Sequence, residues 1–237
     1  MNTTLTSSIG PYLRLFIKNG FYIPVISYLI YKTTDDLFLS SIIGLKLFPT
    51  NYFYWFCYNF DFFPEPYKKY NQLKQFVRLT DTGHMVSFIY YFYPRFFPIA
   101  FNIHFIITVG YWYSIIVLNL TDTSETNDVE YIVWFNKLWA YAVHIIPLLL
   151  FLREMYLQEL CYQYFTNIDL YYSFLWTYTW LFCIYCPWRY YTKDVVYSVL
   201  DNNEPFKNKC KIFIIMNMLI IVSNSCGYYL TNIYKVK

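Results

Sequence analysis

Three histidines and one threonine are the residues of this chain whose types and spacing could do chemistry. His84 and Thr80 share the string RLTDTGH, residues 78–84. His104 lies in FPIAFNIHFIITVGYWYSI, residues 97–115, and His144 in WAYAVHIIPLLLFL, residues 139–152. Two of these rings sit inside apolar runs, where an ionisable group is costly and becomes a functional candidate by default. The plainer reading is a neutral imidazole bonded to a backbone carbonyl or to one of the 29 tyrosines. A threonine hydroxyl becomes a nucleophile when a histidine within hydrogen-bond reach takes its proton. Thr80 opens one apolar segment on the side of the membrane where the segment of His144 begins, so the two can meet within one leaflet. Asp81 could orient that base, although Thr-Asp is common at helix starts as plain capping, and on spacing alone Thr80 reads as a cap. A second chemistry is haem b held between His104 and His144, each about 12 Å from the same face at a rise of 1.5 Å per residue.

The elements that must position these groups are apolar stretches long enough to cross about 30 Å of hydrocarbon, roughly 20 helical residues. Residues 96–121, 170–188 and 212–234 are free of charge. Residues 131–152 carry Lys137 and His144, and a shorter stretch, 79–93, starts with Asp81 near its head. Pro94 and Pro98 predict a tight turn where that short helix must stop. Residues 21–31 and 37–60 are apolar but broken by Pro24, Lys46 and Pro49. The expected fold is therefore all-α, a polytopic integral membrane helix bundle of five to seven transmembrane helices. Residues 1–76 form an N-terminal extension with one or two membrane or interfacial helices, and residues 77–237 a five-helix transmembrane domain.

Composition agrees. The chain is 57% hydrophobic and only 14% charged, against roughly 25% charged in soluble domains. Aromatic residues reach 25%, more rings than a soluble core of this size can hide. Alanine occurs three times and glycine six. Helices in lipid usually meet through small residues, so aromatic and branched side chains must do most of the packing here. A net charge of +3 with dispersed basic residues offers no nucleic-acid surface. The six scattered cysteines suggest no disulfide framework, and Cys183-Ile-Tyr-Cys186 lacks the second pair a zinc site needs. No phosphate loop, HExxH or GxSxG string occurs. Loops 61–78 and 189–211 carry nine Lys and Arg, which the positive-inside rule places in the cytosol or matrix. The bias toward Phe, Tyr, Ile, Asn and Lys resembles AT-rich protist mitochondrial chains. Residues 1–34 hold no Asp or Glu and resemble a mitochondrial presequence; a Met1 that is kept fits synthesis inside the organelle or an internal signal.

Across residues 77–234 the order of the pieces resembles the androgen-induced family of multi-pass membrane fatty-acid-ester hydrolases. The matching strings are LT at 79–80, FPIAFNIHFIITVGYWYSI at 97–115, the acidic Asn127–Glu130, HIIPLLLFL at 144–152 and VVYSVL at 195–200. The resemblance implies a membrane-embedded catalytic pair, Thr80 and His144. Where that family carries an Asn-His pair before its histidine, this chain has Ala140 and Tyr141, and its long loop is reduced to Pro94–Arg95. That departure ranks the expectations. First comes a structural accessory subunit of a respiratory-chain complex or supercomplex of the mitochondrial inner membrane, with a degenerate hydrolase fold, binding lipids and neighbouring subunits and no cofactor. Second comes a threonine-type intramembrane hydrolase of fatty-acid esters, using Thr80 and His144. Third comes a haem b-binding membrane anchor.

Overall fold

The computed structural model describes residues 22–47, 77–117, 130–157, 165–193, 195–197, 200 and 205–234. Among these residues the structure is helical throughout, without strands. The chain divides into two compact units, Met1–Gln75 with Asp122–Ala142, and Phe76–Thr121 with Val143–Lys237. Most of residues 48–76, the acidic loop 122–129 and residues 201–204 lie outside the described residues.

In the first unit, α1 (Tyr22–Thr34) packs on α2 (Leu37–Leu47). The turn between them needs a left-handed residue, supplied by Asp35 at φ 53°. Asp36 then accepts the amide N–H of Leu39 at 2.8 Å and so caps the second helix as a short carboxylate should. Phe38, Ile42 and Leu45 form the buried face of α2.

The second unit carries the chemistry. It comprises α3 (Leu79–Phe92), a 3-10 turn at Pro94–Phe96, α4 (Phe97–Ile116), residues 143–157 of α5 (Glu130–Leu157), α6 (Asn167–Thr179), a π turn at Trp180–Tyr185, α7 (Cys186–Thr192) and α8 (Phe206–Tyr234). Among the described residues, three helices are long and apolar enough to cross a membrane: Pro94–Ile116, Ala140–Leu157 and Phe206–Ile233. The expected turn at Pro94 and Pro98 is present. Pro94 opens the 3-10 turn and Pro98 stands in the first turn of α4, where a missing N–H costs nothing.

α4 is the central helix, packed against α3, α6 and α8. Its first eight residues, Phe97 to His104, are all buried. A knot of rings forms around it. Tyr90 meets Phe97 and Phe151 at 5.3 and 5.4 Å between centroids, and Phe165 meets Phe101 edge-on at 5.3 Å. Each such pair adds about 0.5–1.5 kcal/mol beyond its area. Two of the few glycines also sit at close approaches. A Cβ on Gly83 would lie 2.6 Å from Ile107 and 3.2 Å from the ring of His104, and one on Gly227 would fall within 2.0 Å of Phe165. Rings fill the core as composition requires, and glycine appears where a ring or a helix comes too near for a side chain.

Polar groups join the same helices at the other end of α3 from Thr80. Asn102 on α4 donates to Ser173 on α6 at 2.9 Å and to Asn224 on α8 at 3.1 Å. Thr166 and Asp169 form a reciprocal cap at the start of α6. The Asp169 carboxylate, 2% exposed, also takes an ion pair from Arg95 at 3.1 Å. Satisfying buried polar atoms between helices is the condition for placing them in lipid at all.

Candidate functional site

Two hydroxyl–imidazole pairs stand in the second unit, both bridging α3 to another helix. Thr80 Oγ1 lies 3.2 Å from His144 Nε2. Ser87 Oγ lies 2.7 Å from His104 Nε2. Their surroundings separate them.

The Ser87–His104 pair is sealed. Ser87 is 0% and His104 1% exposed. The Ser87 hydroxyl also reaches the carbonyl of Gly83 at 3.0 Å, and His104 Nε2 stands 3.0 Å from that same carbonyl. An unprotonated Nε2 would repel the carbonyl oxygen, so the proton belongs on Nε2, which then donates. The ring is sandwiched by His84 at 5.7 Å and Phe151 at 5.4 Å. This arrangement ties α3 to α4 and admits no substrate.

Thr80 and His144 are both half-buried, unlike the sealed second pair. Thr80 was expected from its spacing to serve as a cap. Instead the N-cap of α3 is Arg78, without a side-chain capping bond, and Thr80 is the second residue of the helix. Its hydroxyl is thereby free of capping duty and turns to His144. Asp81 lies in the same first turn, where an acid suits the positive end of the helix dipole.

His144 is fixed by α4 in two ways. Tyr111 stacks on its ring, 3.7 Å between centroids and 7° from parallel. Thr108 donates its hydroxyl to the backbone carbonyl of His144. Pro147 stands inside α5 three residues after His144 and has no N–H to give to the carbonyl of Val143. The adjoining carbonyl, that of His144, takes the Thr108 hydroxyl, which fastens this turn to α4.

The structure therefore brings together the two residues that the sequence nominated, Thr80 and His144. The ring stacked on that of His144 is Tyr111, and Thr108 holds the backbone carbonyl of His144. Neither stands out in the sequence, because stacking across helices leaves no spacing signal in the chain. His104, nominated with His144 as a haem ligand pair, turns its Nε2 to Ser87 and Gly83, while the Nε2 of His144 meets Thr80. Cys183 and Cys186 are free thiols, exposed at the π turn and the start of α7.

The start of α3 is held from the far end of the chain. Trp180 donates its indole N–H to the carbonyl of Val77 at 2.7 Å, and the Tyr197 phenol oxygen accepts the amide N–H of Leu79 at 2.9 Å. Tyr185 completes the cluster, 5.6 Å from Trp180 and 6.0 Å from Tyr197. Burial pushes the Tyr197 phenol above the ordinary tyrosine range, so it stays neutral. No known protein family, no curated protein and no solved structure matches this chain, so the site is read from its own geometry.

Proposed function

We propose that this chain is a threonine-type intramembrane hydrolase acting on fatty-acid esters. One observation carries the reading: a threonine hydroxyl and a histidine nitrogen, 64 residues apart in sequence, meet at 3.2 Å on two half-buried residues. In the reaction His144 Nε2 takes the Thr80 proton as Oγ1 attacks the ester carbonyl. The ester C–O bond breaks, His144 returns the proton to the leaving alkoxide, and an acyl-threonine remains. A water molecule, deprotonated by His144, then attacks that acyl group and releases the fatty acid and free Thr80. For this the Nδ1 of His144 must carry the hydrogen and Nε2 the lone pair. The Tyr111 ring limits how far that imidazole can turn.

The helices Leu79–Phe92 and Asn167–Thr192 complete five spans in this reading, the shorter one ending near the headgroups, where the ester of a lipid lies. The residues of RLTDTGH and VVYSVL are then close to one membrane surface. A second reading, an accessory subunit within a mitochondrial inner-membrane respiratory assembly, rests on composition and on exposed rings such as Tyr171, Phe182, Tyr228 and Tyr229. Lipid contact accounts for the same rings, which is why the hydrolase reading comes first.

The test uses the purified chain in detergent with a long-chain fatty-acid ester and a fluorophosphonate label. Wild-type protein should cleave the ester and carry the label on Thr80. Thr80→Val and His144→Phe should each lose about 100-fold or more in rate, the usual weight of general-base catalysis, and the double variant should lose no more. Unchanged turnover in Thr80→Val, or comigration with a respiratory complex on native gels without hydrolysis, would replace this reading with the second.

A further inference from the structure

Resting on the reading of Thr80 as nucleophile, we infer that Trp180 and Tyr197 are positioning residues that set the first turn of α3, and with it the Thr80 hydroxyl, against His144. The first four N–H groups of a helix have no partner within it. A Ser, Thr, Asp or Asn at the N-cap usually supplies one. α3 begins at Arg78 without any side-chain cap. Its first amide, that of Leu79, is instead taken by a phenol 118 residues later in the chain. The carbonyl of Val77, just ahead of the helix, is taken by an indole 103 residues later. Both contacts lie within the three residues before Thr80, and both come from the stretch between α6 and α8.

The sequence explains how that stretch reaches. Pro187 has no N–H to give to the carbonyl of Cys183 and its ring crowds that carbonyl. The helix accommodates it by a π turn, Trp180–Tyr185, immediately before α7. Bonding from i to i+5 brings side chains five apart onto one face. Trp180 and Tyr185 therefore lie side by side and both buried. After Lys193 stops α7 in a left-handed conformation, Tyr197 comes back over this pair, edge-on to Trp180 at 6.0 Å. A bulge, a helix stop and two polar ring atoms thus converge on the turn that carries one hydroxyl. The convergence is buried, with Val77, Leu79, Trp180 and Tyr185 all in the core, and it is separate from the ring knot around Phe97 and Phe151.

The experiment compares wild type with Tyr197→Phe, which deletes only the phenol oxygen, and Trp180→Phe, which deletes the indole N–H together with part of the ring system. Two readouts are taken: kcat and KM on the ester, and amide hydrogen exchange over residues 77–82. The clamp predicts faster exchange over 77–82 in both variants. It also predicts a fall of about 10- to 100-fold in kcat, the scale of a misplaced reacting group, with KM within twofold of wild type. A packing role alone would lower the melting temperature and leave kcat of the folded enzyme unchanged, and that result overturns the inference. Unchanged exchange in both variants overturns it as well, whatever the activity. A wild-type protein that neither cleaves the ester nor labels at Thr80 would remove the hydrolase reading itself, and with it the role assigned here; exchange would then report the clamp as purely structural.

Discussion

Replacing Asn102 by leucine tests how the polar groups between the helices are balanced. The two side chains are close in shape, so little cavity forms. The variant loses the bonds from Asn102 Nδ2 to Ser173 Oγ and to Asn224 Oδ1. It also removes Asn102 Oδ1, a buried oxygen without a hydrogen-bond partner among the described residues. In exchange it leaves Asn224 Oδ1 without that donor. One stranded oxygen replaces another, and those two changes offset. What remains is two interhelical bonds at about 0.6 kcal/mol each, so the single variant should cost about 1 kcal/mol. Adding Asn224→Leu removes the newly stranded oxygen and gives up only the long 3.5 Å contact to the Thr166 carbonyl. Relieving a buried unpaired oxygen is worth about 1–3 kcal/mol, so the double variant should be at least as stable as the single and close to wild type. The assay is reversible unfolding in mixed SDS micelles followed by circular dichroism. A single variant costing more than about 3 kcal/mol, or a double variant less stable than the single, would refute the balance of terms used here.

Gly227→Ala should destabilise by about 1–3 kcal/mol, the usual cost of overpacking, because Phe165 occupies the place of the new methyl; the same micelle titration reads it, and Gly227→Ala with Phe165→Leu should recover part of the loss. Tyr111→Phe should retain most hydrolytic rate, because the stack on His144 survives, whereas Tyr111→Leu should lower kcat about tenfold or more by freeing a ring that must stay aligned. The raised phenol of Tyr197 makes stability fall as pH rises above the ordinary tyrosine range, about 10, because the unfolded chain then ionises there while the folded one does not. Thermal melts on either side of that pH should show the decline, and Tyr197→Phe should flatten it.

Much of the bundle was legible in the chain because its signals are local. Charge-free runs give helices, and Pro94 and Pro98 give the turn where expected. The Thr80–His144 pair was legible for a simpler reason: each is a reactive group at a definite depth in an apolar segment, and depth can be counted along a helix. What fixes those two groups could not be read the same way. Tyr111 looks like any other of the many tyrosines until α4 and α5 are packed together. Thr108 has no visible task until its hydroxyl meets the His144 carbonyl across the two helices. Trp180 and Tyr197 act on residues more than a hundred positions away, and the π turn that aims them departs from the α-helical period on which patterns are judged. Thr80 itself was expected to cap its helix, and the capping moved to Tyr197 because Arg78 offers no acceptor.

Ser87 stands seven residues, about two turns, beyond Thr80 on the same helix, with its own imidazole already in place. That makes it an internal witness. A reagent that seeks activated hydroxyls should mark Thr80 in the intact bundle and pass over Ser87. Adducts found at Ser87 would time-stamp the moments when α3 and α4 part, so one labelling experiment can tell catalysis from breathing in a single molecule.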